Sequence, residues 1–158
     1  MYSEFMISRV LFVCSGNLCR SPMAAGLFAR LLPEVAVMSA GLDAPVGEPA
    51  APEAVAVLRS HGIDLSGHRA ARLSDAMCRA ADLILVMTVA QRRELEARHP
   101  FTRGKVFLVR AFDQVDVFDP VGEPRERFDA CYALLATGLS DWIAHLGYAG
   151  RRRSGGWQ

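Results

Sequence analysis

Short apolar runs alternate with segments of helical period along this chain. Residues 9–13, Arg-Val-Leu-Phe-Val, form a compact β-rich run that ends at Cys14, which predicts a buried strand. From Met23 the spacing changes: Leu27 and Leu31 follow at intervals of four, with Ala24 and Phe28 alongside, and Pro33 ends the helix. Ser21 is read as the N-cap of that helix, with Pro22 at its first position. A second short strand is predicted over 35–38, followed by Ser39, Ala40 and Gly41 and a Pro/Gly-rich loop to about residue 51. Pro52 opens a helix closed by His61 and Gly62, residues 63–72 read as loop with a turn at Ser66 and Gly67, and Ser74 caps a short helix through Arg79. Residues 82–87 give the third strand, Thr88 caps a charged helix to His99, and residues 105–109 give the fourth strand. After a loop over 111–124 a long helix runs from about 125 to 146, with Phe128, Cys131, Tyr132, Leu135, Leu139 and Trp142 on its apolar side.

This alternation predicts an α/β fold: one three-layer domain with a four-stranded parallel sheet, order 2-1-3-4, and helices on both faces. That order places the loop after the first strand at a switch point on the carboxyl edge, where such sheets bind ligands. The domain is assigned to residues 9–147, with a short extension over 1–8 and a basic tail over 148–158 that includes an arginine run at 151–153. The chain's 158 residues suffice for one sizeable core.

The formal net charge of +1 argues against a general electrostatic nucleic-acid binder. No apolar run approaches 18 residues, so no stable membrane insertion is expected. The N-terminal residues lack the charged start and apolar stretch of a signal peptide, and the four cysteines (14, 19, 78 and 131) show no paired spacing. They read as thiols of a cytoplasmic protein rather than a disulfide framework. Zinc at Cys14 and Cys19 is disfavoured because no second ligand pair is spaced for it.

The chemistry concentrates in residues 14–21, Cys-Ser-Gly-Asn-Leu-Cys-Arg-Ser. A strand–loop–helix junction aims several backbone N–H groups at one point, and the helix dipole adds partial positive charge. The intervening residues Ser15, Gly16, Asn17, Leu18 and Cys19 can curl round a tetrahedral oxyanion, with Cys14 at the floor and Arg20 at the edge. A guanidinium grips two such oxygens bidentately. Cys14 would attack a phosphoryl group in line, giving a phosphocysteine, and Ser21 can offer a hydroxyl to its sulfur. The leaving oxygen then needs a proton, for which Asp119, stiffened by Pro120, is preferred over Asp116. Nucleophile, clamp and acid are all side chains, so no metal or organic cofactor is implied.

These residues resemble the low-molecular-weight protein tyrosine phosphatases, most closely the bacterial branch associated with exopolysaccharide export. The resemblance covers roughly residues 9–147. It rests on the loop from Val13 to Ala24, on Ser39 to Gly41, on His61-Gly62, Gly67-His68, the 82–87 strand and Asp119-Pro120. It implies Cys14 as nucleophile, Arg20 as phosphate clamp and Asp119 as general acid; Ser39 and His68 are read as supports of the loop, with a plain turn residue the alternative for His68. The implied partner is a phosphotyrosine protein, the tail of a membrane tyrosine kinase met from the cytoplasm by a monomeric enzyme. The chain departs from the pattern at Val121, where relatives carry an aromatic that walls the phosphotyrosine slot, and at Leu42, in a loop where eukaryotic relatives carry one. It departs also at Leu18, usually isoleucine, and at Thr88, commonly an acid. Leu42 and Val121 are thus the expected, less aromatic, slot walls.

Cys19 can be read as an inert buried thiol or as a redox partner of Cys14; Cys78 and Cys131 read as core. Three other functions compete. An arsenate reductase of the same fold would need two further cysteines close together late in the chain, and Cys78 and Cys131 are far apart. A protein-arginine phosphatase resembles this family but carries threonine where Leu18 stands. A non-catalytic phosphate-binding module would lack the nucleophile or the acid, and both are present.

Overall fold

The computed structural model describes residues 7–147. The first six residues of the predicted extension and the predicted basic tail lie outside the described residues. Four parallel strands, β1 (Arg9–Cys14), β2 (Ala36–Gly41), β3 (Leu83–Val86) and β4 (Val106–Leu108), pair in the order β2-β1-β3-β4. Helices α1 (Arg20–Leu31), α2 (Pro52–Ser60), α3 (Asp75–Ala80), α4 (Val89–Arg98) and α5 (Arg125–His145) connect and cover them.

Side-chain alternation along the strands divides the core. Val10, Phe12 and Cys14 join Leu83, Leu85 and Met87 against α1, α2 and α5, where Phe12 meets Phe28 edge-on at 5.5 Å between ring centroids. Leu11 and Val13 join Ile84, Val86, Val106 and Leu108 against α3 and α4. Cys78 and Cys131 are fully buried, one in each core, as expected of them. α5 approaches β4 so closely that a Cβ on Gly138 would stand 2.6 Å from the Val109 carbonyl oxygen.

Several segments differ from expectation. Ser39, Ala40 and Gly41 complete β2 rather than following it, because the register pairs Phe12 with Ser39 and Cys14 with Gly41. The loop over 63–72 is tied down by bridges between Gly41 and Arg72 and between Pro49 and Arg69. Ser8, assigned to the extension, is anchored: its backbone N–H and hydroxyl and the Arg9 N–H all donate to Asp82 Oδ2, at 2.9, 3.0 and 2.9 Å. Burial raises the Asp82 pKa, but these bonds outweigh it and hold the carboxyl below its usual range.

Sheet order places the carboxyl ends of β1 and β3 side by side at the switch point. The loop over 15–19 leaves β1 there, and the β3–α4 junction and the segment after β4 close round it. Val109 N–H donates to Val86 O at 2.8 Å and Val117 N–H to Met87 O at 2.9 Å, so the aspartate-bearing segment is laced to the end of β3.

Candidate active site

The loop after β1 folds back over its own strand. Asn17 takes φ +58°, in the left-handed region that Asn tolerates better than most residues, and its N–H turns inward to Cys14 Sγ at 3.2 Å. The Asn17 side chain ties this turn to its surroundings. Nδ2 donates to Ser21 Oγ at 2.7 Å and Ser39 Oγ at 3.0 Å, and Oδ1 accepts from Ala71 N–H at 2.9 Å. His68 Nε2 lies 2.8 Å from the Asn17 carbonyl oxygen. Ser39 and His68 are therefore both bonded to the loop.

Ser21 is not the N-cap of α1. The helix begins two residues earlier than expected, at Arg20, with Cys19 in the cap position and no side-chain cap bond. Ser21 is fully buried inside the first turn, where its Oγ lies 3.0 Å from Cys14 Sγ. Pro22 is the third helical residue rather than the first, and its missing N–H is still among those without an intrahelical partner. Because Ser21 Oγ accepts from Asn17 Nδ2, its single hydrogen is left for the sulfur. Two donors thus converge on Cys14 Sγ.

Gly41 is the neighbour that permits this loop. A Cβ there would stand 2.6 Å from the Ser15 carbonyl oxygen and 3.0 Å from Asn17 N. Gly16 has only the Leu18 side chain near, at 3.8 Å, so no contact within the protein demands glycine there. A Gly41→Ala protein is expected to lose about 1–3 kcal/mol of stability by overpacking. Its turnover should fall further than its melting temperature suggests, because the displaced atoms are those of the Cys14 loop. Thermal denaturation beside steady-state kinetics checks this.

Arg20 is nearly buried, and NH1 donates to Val117 O at 3.0 Å, which aims the guanidinium across the loop. NH2 stands 3.5 Å from Asp119 Oδ2. The aspartates after β4 separate by partner. Asp113 pairs with Arg110. Asp116 Oδ1 accepts Val89 N–H at 3.0 Å, at the start of α4. Asp119 alone of the three is paired with Arg20: Oδ1 accepts Val121 N–H at 3.1 Å, and its carboxylate is 48% exposed. Arg127 lies over the Phe118 ring at 3.9 Å, bracing the residue before it.

The remaining predicted residues distribute unevenly. Leu42 N–H donates to Cys14 O at 2.9 Å, but its side chain is 1% exposed and packs in the α3–α4 core, so it does not line a slot. It follows Ala40 on the same face of the strand, and that face points inward. Val121 is 53% exposed. Leu18 is half-buried, and its carbonyl accepts Ala51 N–H at 3.0 Å. All four cysteines are free thiols. Burial, reinforced by the charges of Asp119 and of Cys14 and Cys131, pushes the Cys19 thiol up to about 12, against the pull of Arg20. Burial first, and Asp119 and Cys14 after it, push Cys131 up to about 12 likewise.

Sequence reading missed Gln91. Its Nε2 donates to Ser15 Oγ at 3.1 Å, while Oε1 accepts the N–H groups of Met87 and Thr88 at 3.0 and 3.2 Å. The available signal was the Thr-x-x-Gln spacing from Thr88, which forms a capping box here.

Residues 9–152 match the family of low molecular weight phosphotyrosine protein phosphatases. The probable low molecular weight protein-tyrosine-phosphatase EpsP of Ralstonia solanacearum is 45% identical over 141 residues, 89% of this chain and 97% of that protein. The tyrosine phosphatase Wzb of Escherichia coli K30, solved with sulphate, superposes with a TM-score of 0.86 at 36% identity, covering 90% of this chain and all of that one. The arginine phosphatase YwlE, solved with a phosphorylated active-site serine, superposes at 0.83 with 31% identity, covering 87% and 95%. With the family match spanning the whole sheet and its loops, the chain belongs to the low molecular weight phosphotyrosine protein phosphatases.

Proposed function

We propose that this protein hydrolyses phosphotyrosine in a protein substrate through a phosphocysteine at Cys14. The observation that carries the reading is the convergence of Cys14 Sγ, its two donors Asn17 N–H and Ser21 Oγ, and the Arg20–Asp119 pair at one sheet edge. The phosphoryl oxygens would lie in the loop over 15–19 against its backbone N–H groups. Arg20 would turn from the Asp119 carboxylate to grip two of them. The Cys14 thiolate forms the S–P bond as the P–O ester bond breaks, and Asp119 gives its proton to the departing tyrosyl oxygen. A water then loses a proton to the Asp119 carboxylate and attacks phosphorus. The S–P bond breaks, and Ser21 hydrogen-bonds the returning thiolate.

The substrate proposed is the phosphotyrosine-bearing tail of a membrane tyrosine kinase in exopolysaccharide synthesis or export, met by a monomeric enzyme in the cytoplasm. The names of EpsP and Wzb support this setting, and among the described residues no helix is long and apolar enough to cross a membrane. Cys19 is kept as the thiol that would attack Cys14 once a peroxide had oxidised it to the sulfenic acid, forming the S–S bond and releasing water. With its pKa near 12, that capture would be slow at neutral pH.

One neighbour supports a second reading. YwlE is an arginine phosphatase, and Val121 offers no aromatic wall. The experiment is a direct comparison of one peptide sequence carrying phosphotyrosine or phosphoarginine, with inorganic phosphate as competitive inhibitor. The phosphotyrosyl form is expected to show kcat/KM at least about tenfold higher, a difference of about 1.4 kcal/mol in transition-state stabilisation. The reverse ranking would establish the arginine reading.

A further inference from the structure

We propose that Gln91 is a positioning residue for the phosphate pocket: it holds the Ser15 side chain so that the hydroxyl presents its hydrogen to a bound phosphate monoester. The inference rests on the reading of the Cys14 loop as a phosphoryl site and adds a donor to it.

Gln91 is buried in the first turn of α4, and the orientation of its amide is set by its neighbours. Two backbone N–H groups, those of Met87 and Thr88, point at Oε1, so the amide cannot be flipped without facing donors with donors. Nε2 is thereby directed at Ser15 Oγ, 3.1 Å away. A hydroxyl has one hydrogen. Ser15 accepts from Gln91, so that hydrogen remains for a partner on the exposed side, next to Cys14. The Ser15 backbone is fixed as well, since its carbonyl accepts Asp43 N–H at 2.9 Å.

The same logic operates on the other side of the sulfur. Asn17 Nδ2 donates to Ser21 Oγ at 2.7 Å and so leaves the Ser21 hydrogen for Cys14 Sγ at 3.0 Å. Each of two amide side chains therefore polarises one hydroxyl. Asn17 turns Ser21 toward the nucleophile, and Gln91 turns Ser15 toward the group under attack. A hydrogen bond to a charged oxygen is among the stronger ones, so the second donor should register in phosphate affinity.

The test measures binding of inorganic phosphate by calorimetry, which needs no turnover, beside its inhibition of phosphotyrosyl peptide hydrolysis. The variants are Ser15→Ala, Ser15→Thr, Gln91→Glu and the Ser15→Ala/Gln91→Glu pair. Glu keeps an acceptor for Met87 and Thr88 N–H, so α4 retains its cap, while its second oxygen takes the Ser15 hydrogen away from the pocket. Ser15→Ala and Gln91→Glu should each weaken phosphate binding about five- to tenfold. Ser15→Thr should stay within about twofold of the parent. The double variant should match Gln91→Glu within about twofold, because no hydroxyl is left to turn. Unchanged binding in Ser15→Ala, multiplication of the two effects in the double variant, or a lowered melting temperature with unchanged phosphate affinity in Gln91→Glu would each overturn the proposal. If the parent binds phosphate yet hydrolyses no phosphotyrosyl peptide, the enzymatic reading fails while the binding comparison still decides the role of Gln91.

Discussion

A Cys14→Ser protein is expected to lose phosphotyrosine turnover by about ten-thousand-fold or more, while keeping its fold and its affinity for phosphate. The loss follows from what surrounds the sulfur. Asn17 N–H at 3.2 Å and the Ser21 hydroxyl at 3.0 Å converge on a sulfur, which attacks phosphorus far more readily than a serine hydroxyl does. The same two donors act on a serine oxygen whose proton is far harder to remove. The second half of the reaction is hindered as well, because an alkoxide leaves phosphorus much less readily than a thiolate. Stability should change by less than about 1 kcal/mol, since the replacement is nearly isosteric and the oxygen inherits both hydrogen bonds. Single-turnover kinetics, thermal denaturation and phosphate calorimetry separate these effects. Activity retained at a tenth of the parent would place the nucleophile elsewhere. Cys19, the other thiol of the loop, is a poor substitute, because burial holds it protonated up to about pH 12.

The β3–α4 junction gathers both halves of this chemistry. Gln91 reaches the Cys14 loop through Ser15, and Val89 N–H holds Asp116, three residues before Asp119. Val117 is bonded on one side to Met87 O and on the other to Arg20 NH1. At the far end of α4, Arg98 NH1 donates to Leu42 O at 2.8 Å, and Leu42 N–H in turn holds Cys14 O. The Cys14 loop and the Asp119 segment lie far apart in the sequence, so their spacing must be set by a third element. α4 performs that function through backbone and amide hydrogen bonds rather than through packing alone.

The sheet was legible because its strands are short buried runs with distinct flanks, and alternation with helices leaves few parallel orders to choose from. The grouping of Cys14, Arg20 and Asp119 at one sheet edge was foreseeable because the first two share a loop and the third has a stiff neighbour, Pro120. Ser21 was misread because Ser-Pro before a helical period is the usual cap signature. The same hydroxyl instead sits within the first turn, where it meets a thiol and an amide. Leu42 was misplaced because the residue after a strand was taken as loop, although alternation from Ala40 carries it into the core. Gln91 was passed over because a polar residue on a charged helix looks like solvent-facing surface. Only the fold reveals that this turn of α4 faces Ser15.

Replacing Asp119 by Asn is the complementary experiment, and its size should depend on the leaving group. Asn keeps a carbonyl oxygen for Val121 N–H, so the turn into Pro120 and Val121 survives. The contact with Arg20 is lost, but it is a 3.5 Å pair on a half-exposed carboxylate, and Arg20 keeps its bond to Val117 O. What disappears is the proton. For tyrosyl phosphate, whose phenoxide leaves poorly, kcat should fall about 100- to 1,000-fold. For a nitrophenyl ester, whose oxygen departs without help, the loss should be about tenfold, the part owed to Asp119 as base toward water. An equal loss on both esters would assign the proton to another group. Asp116 is then the alternative to examine, although its Oδ1 already accepts Val89 N–H at the start of α4, which commits it to holding the acid segment rather than to the leaving oxygen.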